Sequence, residues 1–182
     1  MKQRSFGQLA TPISAIGYGA MSLSDFYGPT DDDKSHAVLA RCLDLGINHI
    51  DTSNVYGAGM SETRIGSFLA KQGRQANDLF AIATKAGITS KPDGTRYFDN
   101  TLAHLSRELD KSLQRLGVDQ VELLYVHRRD EAVPIEEVTE ALATLARHAS
   151  NMDLNGINKE VEMNEHSSLS AATDAHQGDA AP

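Results

Sequence analysis

Four residues in this sequence have side chains that together could move a proton: Asp51, Tyr56, Lys85 and His127. Asp51 closes the apolar run INHI, Lys85 closes FAIAT and His127 closes LLYV, while Tyr56 follows in the small polar stretch DTSNVYG. A phenol has an ordinary pKa of about 10, too high for easy donation at neutral pH. A neighbouring ammonium stabilises the phenolate; Lys85 can be that ammonium, with Asp51 to hold it and balance its charge. A neutral His127 would hydrogen-bond a substrate oxygen and orient it. The set therefore suits protonation of an oxygen on which negative charge develops. Each residue alone has an ordinary explanation: a strand-end Asp as a helix cap, a solvated Lys, a packing His, a Tyr covering apolar surface. Their recurrence at corresponding positions of successive segments favours chemistry.

Such a set needs strands whose C-terminal ends lie together. The runs Ile13 to Leu23, Ile47 to Asp51, Leu79 to Lys85 and Val121 to His127 suit strands buried on both faces. Between them the apolar residues follow helical spacing. Val38, Leu39, Cys42, Leu43 and Leu45 share one face, and Ser61 is placed to cap a helix carrying Ile65, Phe68 and Leu69. Leu102 to Leu116 keep the three-four spacing up to Gly117, and Pro134 opens a run through Ile135, Val138, Leu142 and Leu145. The order is βαβαβαβα, preceded by a small hairpin around Phe6 to Thr11, which implies parallel strands and right-handed crossovers. Gly17-Tyr18-Gly19 lacks the third glycine of a dinucleotide fingerprint, Ser22 standing in its place. The expected fold is therefore α/β, an incomplete (β/α)8 TIM barrel of about four βα units.

The chain has 182 residues, 40% hydrophobic and 23% charged, a profile of soluble globular proteins. No apolar run approaches the roughly 20 residues of a membrane span, so no membrane partner is expected. The N-terminal MKQRSFGQLATPIS lacks a secretion signal, and the single Cys42 cannot form an internal disulfide, so the expected location is cytoplasmic. A net charge of -8 speaks against a nucleic-acid partner. From Ser150 onward six acids stand against one lysine, without an aromatic residue. Two segments are expected: a domain over 1–147 and a divergent acidic tail over 148–182, disordered because it cannot bury enough surface.

Four stretches, ISAIGYGAMSL, GINHIDTSNVYGAGMSETRIGSFL, IATKAG and LDKSLQRLGVDQVELLYVHRRD, resemble in order the N-terminal half of an aldo-keto reductase, over residues 4–147. The resemblance implies a (β/α)8 barrel that uses NADP(H) to reduce a small carbonyl substrate, an aldehyde or ketone. It places the family's catalytic tetrad on Asp51, Tyr56, Lys85 and His127, with Tyr56 protonating the oxygen as hydride reaches the carbonyl carbon. It also implies that Gly19, Ala20, Met21 and Asp51 lie at the nicotinamide ribose, and that Tyr27 and His127 contact substrate. His49 shares a strand face with Asp51 and is expected to pack in the barrel interior.

The family-like text stops near His148. The second half-barrel, which holds most of the cofactor in the family, is not represented. An abrupt change of this kind is what a frameshift, an altered splice or a truncated gene model leaves, so the chain is expected to be truncated. Open edges on the first and fourth strands offer a route to self-association. A second reading is a catalytically silent regulatory or interaction fragment of an aldo-keto reductase. A metal-dependent hydrolase using His49, Asp51 and His127 leaves Lys85 and Tyr56 without a role, and no metal is expected.

Overall fold

The structure, a computed structural model, describes residues 1–7, 12–73 and 79–152. The chain divides into the unit Met1–Leu142 and a second beginning at Ala143; every strand belongs to the first. β1 (Gln3–Arg4) pairs antiparallel with β2 (Ile13–Ser14). The expected hairpin is thus present, but its strands flank the stretch Phe6 to Thr11, of which residues 8–11 lie outside the described residues. Ile13 to Leu23 does not form the single strand its apolar character suggests. Ser14 Oγ donates to the Ile16 carbonyl at 2.8 Å, a local bond that competes with strand pairing. β3 is then only Tyr18–Gly19, followed by a 3-10 turn over Ala20–Ser24.

The remaining elements are α1 (Asp32–Asp44), β4 (His49–Asp51), α2 (Met60–Gln72), β5 (Ala81–Ala86), β6 (Ile88–Ser90), β7 (Arg96–Phe98), α3 (Leu102–Leu116), β8 (Leu123–Val126) and α4 (Ile135–Met152). Strands β3, β4, β5 and β8 lie side by side in that order, all parallel. Each is followed by a helix, so they are four consecutive βα units of a (β/α)8 barrel. The register sets Asp51 beside Gly19 and Ala83, and Lys85 beside Tyr125. Strand C-termini therefore finish at one level, and the polar residues that end them share one rim.

The core lies between sheet and helices. Leu39 and Cys42 of α1, Ile65, Phe68 and Leu69 of α2, and Leu116 of α3 pack with Ile50, Phe80 and Ile82. These helical residues recur at three- and four-residue intervals, which is why one face of each helix is buried. Thr101 caps α3 by accepting from His104 N, and Gly117 ends it at φ 68, a left-handed conformation that glycine adopts without a Cβ clash. Helices α2 and α3 cross so closely that a Cβ on Gly66 would stand 2.1 Å from the Arg115 carbonyl oxygen.

Two features depart from the sequence reading. A hairpin of β6 and β7 interrupts the third βα connection. Its turn is Lys91-Pro92-Asp93-Gly94-Thr95, closed by Lys91 N donating to the Thr95 carbonyl at 2.9 Å, with Gly94 at φ 84. Helix α4 also runs past Arg147 to Met152, because the alanine- and leucine-rich stretch continues without a glycine or proline to stop it. The acidic tail expected over 148–182 thus begins within a helix, and its part over 153–182 lies outside the described residues. Among the described residues no helix is long and apolar enough to cross a membrane.

Candidate active site

At the rim, Lys85 Nζ donates to Asp51 Oδ1, to the Thr52 carbonyl at 2.7 Å and to the Tyr56 hydroxyl at 3.3 Å. An ammonium has three protons, and these three acceptors account for all of them. Lys85 Nζ also stands 4.9 Å from the Tyr56 ring centroid. The Tyr56 oxygen accepts from the ammonium, so its own proton is free to point at something else. The lysine side chain is 13% exposed and that of Asp51 36%, which puts the ion pair at the edge of the protein interior.

The loop that carries Tyr56 is held by small polar residues. Thr52 N donates to the Ala83 carbonyl at 2.8 Å and Asn54 N to the Lys85 carbonyl at 3.2 Å, so the chain follows β5 beyond the end of β4. Thr52 Oγ1 and Ser61 Oγ lie 2.9 Å apart, and Ser61 Oγ donates to the Ala20 carbonyl at 2.8 Å. Ser61 is therefore not the cap of α2, which begins one residue earlier after Gly59. Its hydroxyl is used to bind the loops after β3 and β4 together. Ala58, at φ 53, is a non-glycine residue in the left-handed region within this loop, a conformation that costs about 1–2 kcal/mol and persists where surroundings impose it.

His127 follows β8, its N–H donating to the Ala86 carbonyl at 2.8 Å. The ring meets Tyr56 edge-on, with centroids 5.8 Å apart at 83°, and its Nδ1 lies 3.0 Å from Ser53 Oγ. Burial first, then the charges of Lys85 and Arg128, hold His127 below its ordinary 6.5, against the opposing pull of Asp51. The imidazole is thus kept neutral, able to donate from one nitrogen while accepting at the other. Behind it the buried Asn100 accepts from Asp130 N at 2.6 Å and donates to the Arg128 carbonyl at 3.1 Å, clamping the loop after β8.

Asp51, Tyr56 and Lys85 are in direct contact and His127 packs on Tyr56. Gly19 pairs with Asp51, and nothing lies within 4 Å of where a Cβ on it would stand. Ala20 is wholly buried and its carbonyl is taken by Ser61, which leaves its side chain beneath the rim. Tyr27, 74% exposed, meets Phe26 edge-on at 5.0 Å and reaches Met21 Sδ at 3.9 Å. The loop bearing it is anchored by the buried Arg64, which donates to the Leu23 carbonyl at 2.6 Å and the Thr30 carbonyl at 3.2 Å. His49 does not join the rim: its Nδ1 lies 3.1 Å from the Ala81 carbonyl oxygen and its ring 6.3 Å from that of Phe6. Among the described residues no group of three or more His, Cys, Asp or Glu is placed to hold a metal ion. Ser53, Arg64 and Asn100 were not evident from the sequence; only the polar character of DTSN before Tyr56 hinted at the first.

Comparison with known proteins gives a consistent result. Residues 15–149 match the aldo/keto reductase family. The aldo-keto reductase yakc of Schizosaccharomyces pombe, whose name carries NADP(+), is 39% identical over 131 residues, which are 71% of this chain and 38% of that protein. Among solved structures, a holo-form aldo-keto reductase from Bacillus halodurans superposes with a TM-score of 0.69 at 31% identity, over 82% of this chain and 47% of the other. A glycerol dehydrogenase from Gluconobacter oxydans gives a TM-score of 0.70 at 28% identity, over 80% of this chain and 45% of its own. The chain spans less than half the length of these relatives.

Proposed function

Because this chain belongs to the aldo/keto reductase family, we propose that its rim cluster serves NADPH-dependent reduction of an aldehyde or ketone to an alcohol, with Tyr56 as proton donor. The observation that carries this reading is the Lys85 ammonium, bonded to Asp51 on one side and 3.3 Å from the Tyr56 oxygen on the other. As negative charge grows on the substrate oxygen, Tyr56 gives up its proton to it. Lys85 stabilises the charge left on the phenol oxygen, and Asp51 keeps the ammonium aimed there. His127, neutral, donates a hydrogen bond to the same substrate oxygen and fixes its place between the two rings.

The residues present fit the nicotinamide end of the cofactor. Gly19 leaves open space beside a half-exposed carboxylate, Asp51, which is a natural acceptor for ribose hydroxyls. Asp51, Gly19, Met21 and the backbone at Ala20 would line that end, and Tyr27 would contact the substrate from the loop after β3. NADPH, when bound, supplies the hydride to the carbonyl carbon. The test is Tyr56→Phe in the full chain, with NADPH binding followed by fluorescence and aldehyde-dependent NADPH oxidation by absorbance. Turnover is expected to fall by about 10²–10⁴ with binding unchanged; loss of both together would contradict the role given to Tyr56.

A further inference from the structure

Ser53 is wholly buried, although its hydroxyl belongs to a loop at the protein's rim. Its Oγ sits 3.0 Å from His127 Nδ1, while its other acceptors, the Lys85 carbonyl and Asn54 Oδ1, are each 3.4 Å away. Both of those contacts are longer than the one to the imidazole. The Lys85 carbonyl already receives Asn54 N–H at 3.2 Å. Ser53 Oγ itself receives Val55 N–H at 3.4 Å, so one of its lone pairs is occupied and its proton is available. The nearest acceptor for that proton is the imidazole nitrogen.

We propose that Ser53 fixes the tautomer of His127, donating its hydroxyl proton to Nδ1 and leaving the ring N–H on Nε2. Ser53 is a positioning residue: it acts through the histidine. A neutral imidazole has one donor and one acceptor, and whichever nitrogen accepts from the protein determines which one donates outward. With Nδ1 occupied by Ser53, Nε2 is the donor, the state needed to bond a substrate oxygen. The groups around the ring agree with a neutral form: Lys85 of β5 and Arg128 disfavour a second proton, Asp51 of β4 opposes them, and Tyr56 presents its ring. Protonating Nδ1 would also turn the Ser53 bond around, so Ser53 works in the same direction as the two cations.

The catalytic consequence rests on the reductase reading given above, but the tautomer does not, and the experiment separates them. The full chain is labelled with ¹⁵N, and His127 is identified in long-range ¹H–¹⁵N spectra by its absence in His127→Gln. No cofactor or substrate is needed. The expected wild-type ring carries its proton on Nε2. In Ser53→Ala the ring becomes a mixture of tautomers and its titration midpoint moves up, and in Ser53→Cys, a weaker donor, both effects are intermediate. A wild-type ring protonated on Nδ1 would overturn the proposal even if neither Ser53 variant folded, as would a Ser53→Ala ring unchanged from wild type. Where turnover is measured, Ser53→Ala should lower kcat about tenfold, with NADPH affinity unchanged. If the tautomer is as stated and the wild type turns over no carbonyl, the reductase reading fails while the role of Ser53 stands.

Discussion

The Lys85 cluster and the Glu62 cluster contain the same kinds of group, a carboxylate, a cation and a hydroxyl, yet they differ in what is left over. Glu62 of α2 is wholly buried, accepting from Thr84 Oγ1 of β5 at 2.6 Å and from Arg115 Nε of α3 at 2.7 Å. Both carboxylate oxygens are engaged, and the three elements are joined beneath the rim. In the other cluster Asp51 remains partly exposed, and the Tyr56 hydroxyl accepts from Lys85 while keeping its own proton. The Glu62 network saturates its groups; the rim cluster, on the proposed function, keeps a proton to give. The two are linked through β5, where Thr84 points to the helix side and Lys85, next in sequence, to the rim.

That contrast predicts opposite responses. Glu62→Ala should have the largest effect on folding: it removes the carboxylate partner of Arg115 and of the Thr84 hydroxyl, and should cost about 3 kcal/mol in chemical denaturation. The low end of the range for such pairs applies because the Arg115 side chain is 25% exposed. Lys85→Met should instead act on chemistry, lowering kcat by about 10²–10³. A Lys85→Met chain with unchanged kcat would erase the contrast. Asn100→Ala should release the loop after β8 and destabilise by roughly 1–3 kcal/mol, through the unpaired Asp130 N–H and Arg128 carbonyl; protection of the Asp130 amide from hydrogen exchange should drop with it.

The smallest effect is that of pH through His127. Its folded pKa lies below the ordinary 6.5, so between those values the unfolded chain binds a proton that the folded chain does not. The contribution to stability is fully present above about pH 6.5 and is lost as pH falls toward the folded value. Denaturation midpoints compared across that window should decline toward acid in wild type and decline less in His127→Gln.

The four rim residues were legible in the sequence because three of them end apolar runs, and parallel strands bring such ends together whatever the loops do. Helix α3 was equally legible, its leucine spacing and Gly117 agreeing with one another. The stretch Ile13 to Leu23 misled, because apolar content alone cannot reveal that the Ser14 hydroxyl bonds two residues on and ends β2. The β6–β7 hairpin was missed although Pro92-Asp93-Gly94 is a strong turn signal, since its flanking strands, of three residues each, are too short to show alternation. Ser53 and Asn100 act through contacts far along the chain, to His127 and to the loop after it, and no local pattern encodes such partners.

On the proposed function, this chain binds NADPH and reduces a carbonyl at Tyr56. The most direct test titrates the purified, folded full chain with NADPH by fluorescence and then adds a simple aldehyde while NADPH absorbance is followed. The prediction is saturable binding, followed by aldehyde-dependent NADPH loss with an equal amount of alcohol formed. A chain that is folded by circular dichroism, yet binds no NADPH and forms no alcohol, would contradict it.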